Sequence, residues 1–378
     1  MRIAIISRAL PPNGGGIGSW SRKASIGLAR LGHHVHLFTA ARDEPPGTEI
    51  GGGVTMCTLH PARARPNSLG WAWAAARAVR SQGAFDVVQA CEWDAEGFVH
   101  SIVSRTPLVT RLATPHYIVQ RTNRAARIQV ARSLVTRWME REQARRSAAV
   151  ISPSQALAVD VAATWRIDPG AIEIVPTGVD PPDCSNGSLP GHLYGVPYVL
   201  YFGRMEARKG VDVWIDALPT VLNSHPEVRA VLVGEDLGWR GRPFADHLRE
   251  RCAGLLDRVD LIPHLAPGDL FPIVAAASLV VLPSRWENLA NACLEAMALG
   301  RPVLATRGSG FEELITDSVD GWLVAPGDSG ALARVACAAL DDRVTLDRVG
   351  EAGRRRAAEL TVDAMARRLV TVYESVIG

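Results

Sequence analysis

Short apolar runs alternate along the chain with longer segments in which apolar residues recur at helical spacing. This is the pattern of strand-helix-strand units in a mostly parallel sheet. In the first half the runs predict strands over residues 2–6, 35–39, 86–90, 108–112, 149–152 and 172–175. A helix is predicted over 20–31, where Gly32 can end it. A turn-rich stretch from Pro176 to Pro197, with the adjacent pair Pro181-Pro182, reads as an interdomain linker. The alternation then restarts, with strands over 198–202, 230–233, 259–262, 279–282, 302–306 and 321–324. Arg-rich helical segments lie at 121–146 and 354–368. The fold class is α/β with two Rossmann-like, doubly wound units, and 378 residues exceed what one hydrophobic core usually fills.

Composition narrows the partners. Forty-one basic residues against 39 acidic leave a net charge of +2, without the global field that nucleic-acid binders use, so no nucleic-acid partner is expected. Six cysteines, at 57, 91, 184, 252, 293 and 337, form no C-x-x-C pair and are too sparse for a disulfide framework or a zinc site. They suit a reducing cytoplasm, which is the expected location. Residues 1–7 hold too short an apolar stretch for a signal peptide, and no segment reaches the ~18 apolar residues of a membrane span. The arginines at 121, 124, 127, 132, 137, 141, 145 and 146 spread around a helix at 100° per residue, and Glu140 and Glu142 interrupt them. A membrane surface is therefore not the favoured partner.

Ligands of such sheets bind beyond the carboxyl ends of the strands, so the loops there carry the chemistry. The first strand runs into a glycine-rich turn, Pro11 to Ser19, whose Gly16 and Ile17 amides at a helix start can receive a phosphate or a sugar hydroxyl. It is not a dinucleotide fingerprint. Ser19 stands where G-x-G-x-x-G needs its last glycine, and Ala40-Ala41-Arg42 offers no acid for a ribose. In the second half the strand over 198–202 opens into Gly203-Arg204-Met205-Glu206-Ala207-Arg208-Lys209-Gly210, a loop with cations to neutralise a diphosphate. The strand over 279–282 leads to Glu287, ahead of a helix start, and to Glu295 inside that helix, which Gly300 and Pro302 end. Two carboxylates separated by seven residues can bracket a ligand, one on a sugar ring and the other on a ribose diol. In the first half, Glu92-Trp93-Asp94-Ala95-Glu96-Gly97 follows the strand over 86–90, where carboxylates suit polyhydroxylated or amino-bearing molecules; packing of Trp93 and helix capping by Asp94 are the alternative readings.

At these residues the chain resembles the GT-B retaining glycosyltransferases of family 4. The resemblance rests on Gly15-Gly16-Ile17-Gly18, on 175–180, on Gly203-Arg204 with Lys209-Gly210, and on the Glu287-x7-Glu295 signature. It continues through 306–313 and 320–324 to a C-terminal helix over 362–377. It implies an acceptor-binding domain over 1–182, a nucleotide-sugar-binding domain over 183–360 facing the first across a cleft, and a helix over 361–378 crossing back to the first domain. It further implies that Arg204 and Lys209 hold the donor diphosphate in place of a metal. Glu295 then takes the ribose and Glu287 faces the transferring sugar, with the amides of Asn288, Leu289 and Ala290 nearby and residues 262–265, Leu265 among them, along the base. The nucleotide diphosphate sugar is a substrate, with UDP favoured over GDP, and neither a metal nor a further cofactor is expected; Asp341-Asp342 falls in a late helix and does not resemble a metal motif. Glu92, Trp93, Asp94 and His116 are the acceptor candidates. One departure stands out: Ala113 occupies the position where many relatives place a histidine, and His116 follows three residues later. A transfer in which the leaving phosphate accepts the acceptor proton does not need that histidine. A nucleotide-sugar 2-epimerase of the same fold and a non-catalytic sugar-nucleotide binder are the competing functions.

Overall fold

A computed structural model describes residues 1–8, 10, 15–40, 53–59, 68–123, 133–185 and 187–378. The chain divides into two compact units, Met1–Gly178 with Leu360–Gly378, and Val179–Glu359. Unit 1 is built on a seven-stranded parallel sheet: β1 (Arg2–Ile6), β2 (His34–Ala40), β3 (Val54–Leu59), β4 (Val87–Cys91), β5 (Leu108–Arg111), β6 (Ala149–Ser152) and β7 (Ile172–Ile174). Its order is β3-β2-β1-β4-β5-β6-β7. Unit 2 carries β8 (Tyr198–Phe202), β9 (Arg229–Val233), β10 (Val259–Ile262), β11 (Leu279–Leu282), β12 (Val303–Thr306) and β13 (Trp322–Val324) in the order β10-β9-β8-β11-β12-β13.

The strands read as continuous apolar runs because both faces of each sheet are covered. In β1, Ile3 and Ile5 pack under helices Gly15–Arg30 and Val362–Ile377, while Ala4 and Ile6 face Trp71, Ala75 and Val79 of helix Ser68–Ser81. The last helix of the chain thus belongs to unit 1. Its Tyr373 hydroxyl, fully buried, donates to Gln89 Oε1 of β4, and Thr361 caps its N-terminus by accepting from the Ala364 amide at 3.0 Å. In unit 2, β8 and β11 pack against Trp214 and Leu218 of helix Val211–Ser224 and Leu332 of helix Ser329–Asp341.

Three expectations change. The edge strand β3 is an addition. Helix Gly15–Arg30 starts five residues earlier than the apolar pattern predicts, so Gly16 and Ile17 form its first turn; Pro11 to Gly14 lie outside the described residues. The Arg-rich region at 121–146 contains helix Leu134–Arg146, and Arg124, Arg127 and Arg132 lie outside the described residues. Among the described residues no helix is long and apolar enough to cross a membrane.

Candidate functional site

Each sheet reverses its strand order at one place, between β8 and β11 in unit 2 and between β1 and β4 in unit 1. Such reversals leave a crevice at the carboxyl ends of the strands, where open α/β sheets take their ligands. The charged loops identified in the sequence open at these two points.

In unit 2 the loops after β8 and β11 are stitched together. The Arg285 amide donates to the Arg208 carbonyl at 2.8 Å. The Arg285 guanidinium reaches the Ala207 carbonyl and forks onto both oxygens of Asp212 at 2.7 and 2.6 Å, a geometry that fixes direction as well as distance. Gly210 is left-handed, with φ +65°, and a Cβ there would stand 2.0 Å from the Pro283 carbonyl oxygen; only glycine lets the two backbones meet.

That stitching produces a chain of alternating charge. Arg204 pairs with Glu206 at 3.3 Å, Glu206 with Arg208 at 2.8 Å, Arg208 with Glu287 at 3.5 Å, and Glu287 with Lys209. Ser284 Oγ donates to the same Glu287 oxygen at 3.0 Å. Burial alone would push the Glu287 carboxyl up, but the Lys209 ammonium and the Arg208 guanidinium overcome it and hold the carboxyl at about 2. Burial pulls the Lys209 ammonium down from its ordinary value against the attraction of Glu287. Lys209 and Glu287, two residues read as separate contacts in the sequence, therefore form one partly buried ion pair. Glu206 and Arg208, the latter almost fully buried, are the members left unassigned in the sequence; their position between Arg204 and Lys209 was the available signal.

Helix Asn291–Ala298 starts directly after this loop, with Ala290 as its N-cap residue. Leu289 and Ala290 are buried, and the Leu289 amide is taken by Asn288 Oδ1. A Cβ on Gly310 would stand 1.6 Å from the Asn288 carbonyl oxygen, so the turn after β12 closes against this segment. Glu295 is half-buried inside the helix, and Leu265 is half-buried in the loop after β10, also at the carboxyl edge of the sheet.

In unit 1 the loops after β1 and β4 meet through Arg8, whose amide donates to Glu96 Oε1 at 2.7 Å and whose guanidinium lies 3.9 Å from Asp94. Glu92 is fully buried: its Oε2 accepts from the Ala113 amide at 2.6 Å and from the Cys91 thiol at 3.1 Å. Through the Ala113 amide it holds the loop after β5 in place. Burial, followed by the nearby Glu140 carboxylate, pushes Glu92 up to about 7, and burial pushes Glu96 up to about 8 against the Arg8 amide bond. Asp94 sits at φ 59°, caps no helix, and accepts from Ser68 Oγ at 3.1 Å. The Trp93 and His116 rings stack 3.8 Å apart with 12° between their planes. Trp93, Asp94 and His116 are thus brought together, and Glu140, which sequence reading did not assign, joins them.

Two doubly wound units, each with charged loops at its strand-order reversal, define a protein of two Rossmann-like domains. Residues 14–182 match the glycosyltransferase family 4 model, and residues 196–342 match the model for glycosyl transferases group 1. The chain is 28% identical over 414 residues to the D-inositol 3-phosphate glycosyltransferase of Segniliparus rotundus, covering 100% of this chain and 89% of the relative. Its fold is similar to sucrose-phosphate synthase from Thermosynechococcus elongatus, with TM-score 0.81, 23% identity, and 100% and 99% of the two chains covered. It is likewise similar to Anabaena Alr3699/HepE in complex with UDP-glucose, with TM-score 0.76, 21% identity, and 99% and 100% covered. The chain belongs to the family 4 glycosyltransferases of GT-B fold.

Proposed function

We propose that the protein moves a sugar from a nucleotide diphosphate sugar, UDP-linked in preference to GDP-linked, to a hydroxyl of a polyhydroxylated acceptor with retention of configuration. The observation that carries this reading is the chain of alternating charge at the β8/β11 reversal, running from the exposed Arg204 through the buried Arg208 and Glu287 to the partly buried Lys209. Arg204 and Lys209 take the diphosphate and stabilise its charge as it leaves, which makes a metal unnecessary. Glu295 binds the ribose diol, Leu265 borders the base, and Glu287 faces the sugar with the amides of Asn288, Leu289 and Ala290 close by. Gly16 and Ile17 offer helix-start amides from unit 1, and Trp93, Asp94 and His116 take the acceptor. In the transfer the acceptor oxygen bonds to the anomeric carbon, the bond to the phosphate oxygen breaks, and that oxygen receives the acceptor's proton. The relative that acts on D-inositol 3-phosphate and the neighbour bound to UDP-glucose support a polyol acceptor and a UDP donor.

The test is incubation with UDP- and GDP-sugars and a panel of polyols and polyol phosphates in EDTA, with NMR of the product's anomeric proton. A product of retained configuration, formed without added metal and fastest from a UDP-sugar, is expected. An inverted product, or activity restored only by magnesium or manganese, contradicts the reading. His116→Ala is expected to keep transfer within about tenfold, because a true general base contributes 10²–10⁴. A thousandfold loss in initial rate, with donor affinity intact, would make His116 the base after all.

A further inference from the structure

Helix Leu134–Arg146 turns Met139, Glu140, Gln143 and Ala144 inward. Gln143 braces the turn after β4: it accepts from the Gly97 amide at 2.9 Å and donates to the Cys91 carbonyl at 3.0 Å. Glu140 does something different. Its carboxylate is fully buried, and Oε1 accepts from His116 Nδ1 at 2.5 Å and from the Asp94 amide at 3.2 Å, while Oε2 accepts from the His116 amide at 3.2 Å. One side chain thereby fixes two loops that arrive from different strands. The first of them is strained, since Asp94 and Ala95 both have positive φ, 59° and 53°, which non-glycine residues keep only when their surroundings demand it. With Nδ1 tied to Glu140, His116 presents Nε2 to Asp94 Oδ1, 3.8 Å away, and the imidazole stays partly open to solvent.

We infer that Glu140 is a positioning residue for the acceptor, holding His116 as a cationic N–H donor beside the Asp94 carboxylate so that the pair recognises a polyol hydroxyl. A hydroxyl accepts one hydrogen bond and donates another, and this pair supplies both complements. The inference rests on unit 1 being the acceptor half of a transferase. Burial lowers the affinity of His116 for its proton, but the bond and charge of Glu140, followed by the charges of Asp94 and Glu92, raise it above the ordinary value. The charged groups around the ring are Glu140 from helix Leu134–Arg146 and Asp94 and Glu92 from the β4 loop, with Arg8 from the β1 loop reaching Asp94.

The experiment is an NMR titration of isotope-labelled imidazoles in the full chain, wild type and Glu140→Gln, with the His116 signal assigned from His116→Ala. The wild-type midpoint is expected above 6.5, and in Glu140→Gln at or below about 6.5, the value of a free imidazole. The acceptor-limited rate should fall as pH rises through this midpoint, and that fall should move to lower pH in the variant. Glu140→Gln should also raise the acceptor KM by about 3- to 10-fold with kcat nearly unchanged, as for the loss of one hydrogen bond. A wild-type midpoint below 6.5, an unchanged midpoint in a folded variant, or an unchanged acceptor KM overturns the inference. If Glu140→Gln does not fold, the wild-type titration decides alone. The titration needs no sugar transfer, so failure of the transferase reading and failure of this one are separable.

Discussion

Glu287→Ala is expected to lower the melting temperature by about 10 °C and transfer by on the order of 10²–10³. The first effect follows from burial. Arg208 and Lys209 both pair with this carboxylate, and the Arg208 side chain is only 7% exposed. Removing the carboxylate leaves Lys209 without its ion-pair partner and Arg208 with Glu206 alone, at a cost of about 3 kcal/mol, the lower end for breaking a buried pair. The second effect follows from position, because the carboxylate that faces the sugar in the proposed transfer is the one that holds Lys209. Scanning calorimetry and initial rates of product formation check both. Equal melting temperatures would show that the ion pair contributes nothing to stability. The pH dependence has a definite sign. The folded-state carboxyl is depressed from 4.5 to about 2, so its contribution is complete above about 4.5 and is lost as pH falls towards 2. Glu287→Gln should lack that loss on acidification.

Lys209→Ala is expected to reduce kcat by about 10- to 100-fold, corresponding to a charged hydrogen bond of about 1.5–3 kcal/mol to the leaving diphosphate. Its effect on stability should be smaller than that of Glu287→Ala, since Glu287 keeps Arg208 and Ser284. Steady-state kinetics distinguish the two roles available to the lysine. A fall in kcat marks charge that develops in the transition state, whereas a rise in donor KM alone marks binding shared by ground and transition states and contradicts the assignment.

The central strands were legible because they are buried on both faces and leave an apolar run, whereas the edge strands β7 and β10 are only partly buried; the strands predicted match within one or two residues. β3 was not legible. It is an edge strand of Val54-Thr55-Met56-Cys57-Thr58-Leu59 whose second half is only partly buried, so neither a continuous run nor a clean alternation marks it. The start of helix Gly15–Arg30 was obscured by its glycines, which weigh against a helix locally but occupy its first turn here. In the candidate site the residue types and their loops could be read, because the motif places Arg204, Lys209, Glu287 and Glu295 beyond strand ends. Their partnerships could not. Lys209 meets Glu287 across 78 residues and His116 meets Glu140 across 24, contacts made by strand crossovers that no local pattern encodes. Glu140 looked like an interruption in an arginine series, although its spacing from Gln143 and Ala144 sets it on the buried side of its helix.

In the proposed transferase, unit 2 is the nucleotide-binding half, and Arg204, Lys209 and the Glu287-x7-Glu295 helix form its site. Calorimetric titration of UDP into wild-type protein and Glu295→Ala, both in EDTA, tests it most directly. Saturable one-site binding to the wild type, indifferent to EDTA, is expected, with at least about tenfold weaker binding to Glu295→Ala because the ribose diol loses its charged partner. Absence of UDP binding, binding that requires a metal, or equal affinity in the two proteins would contradict it.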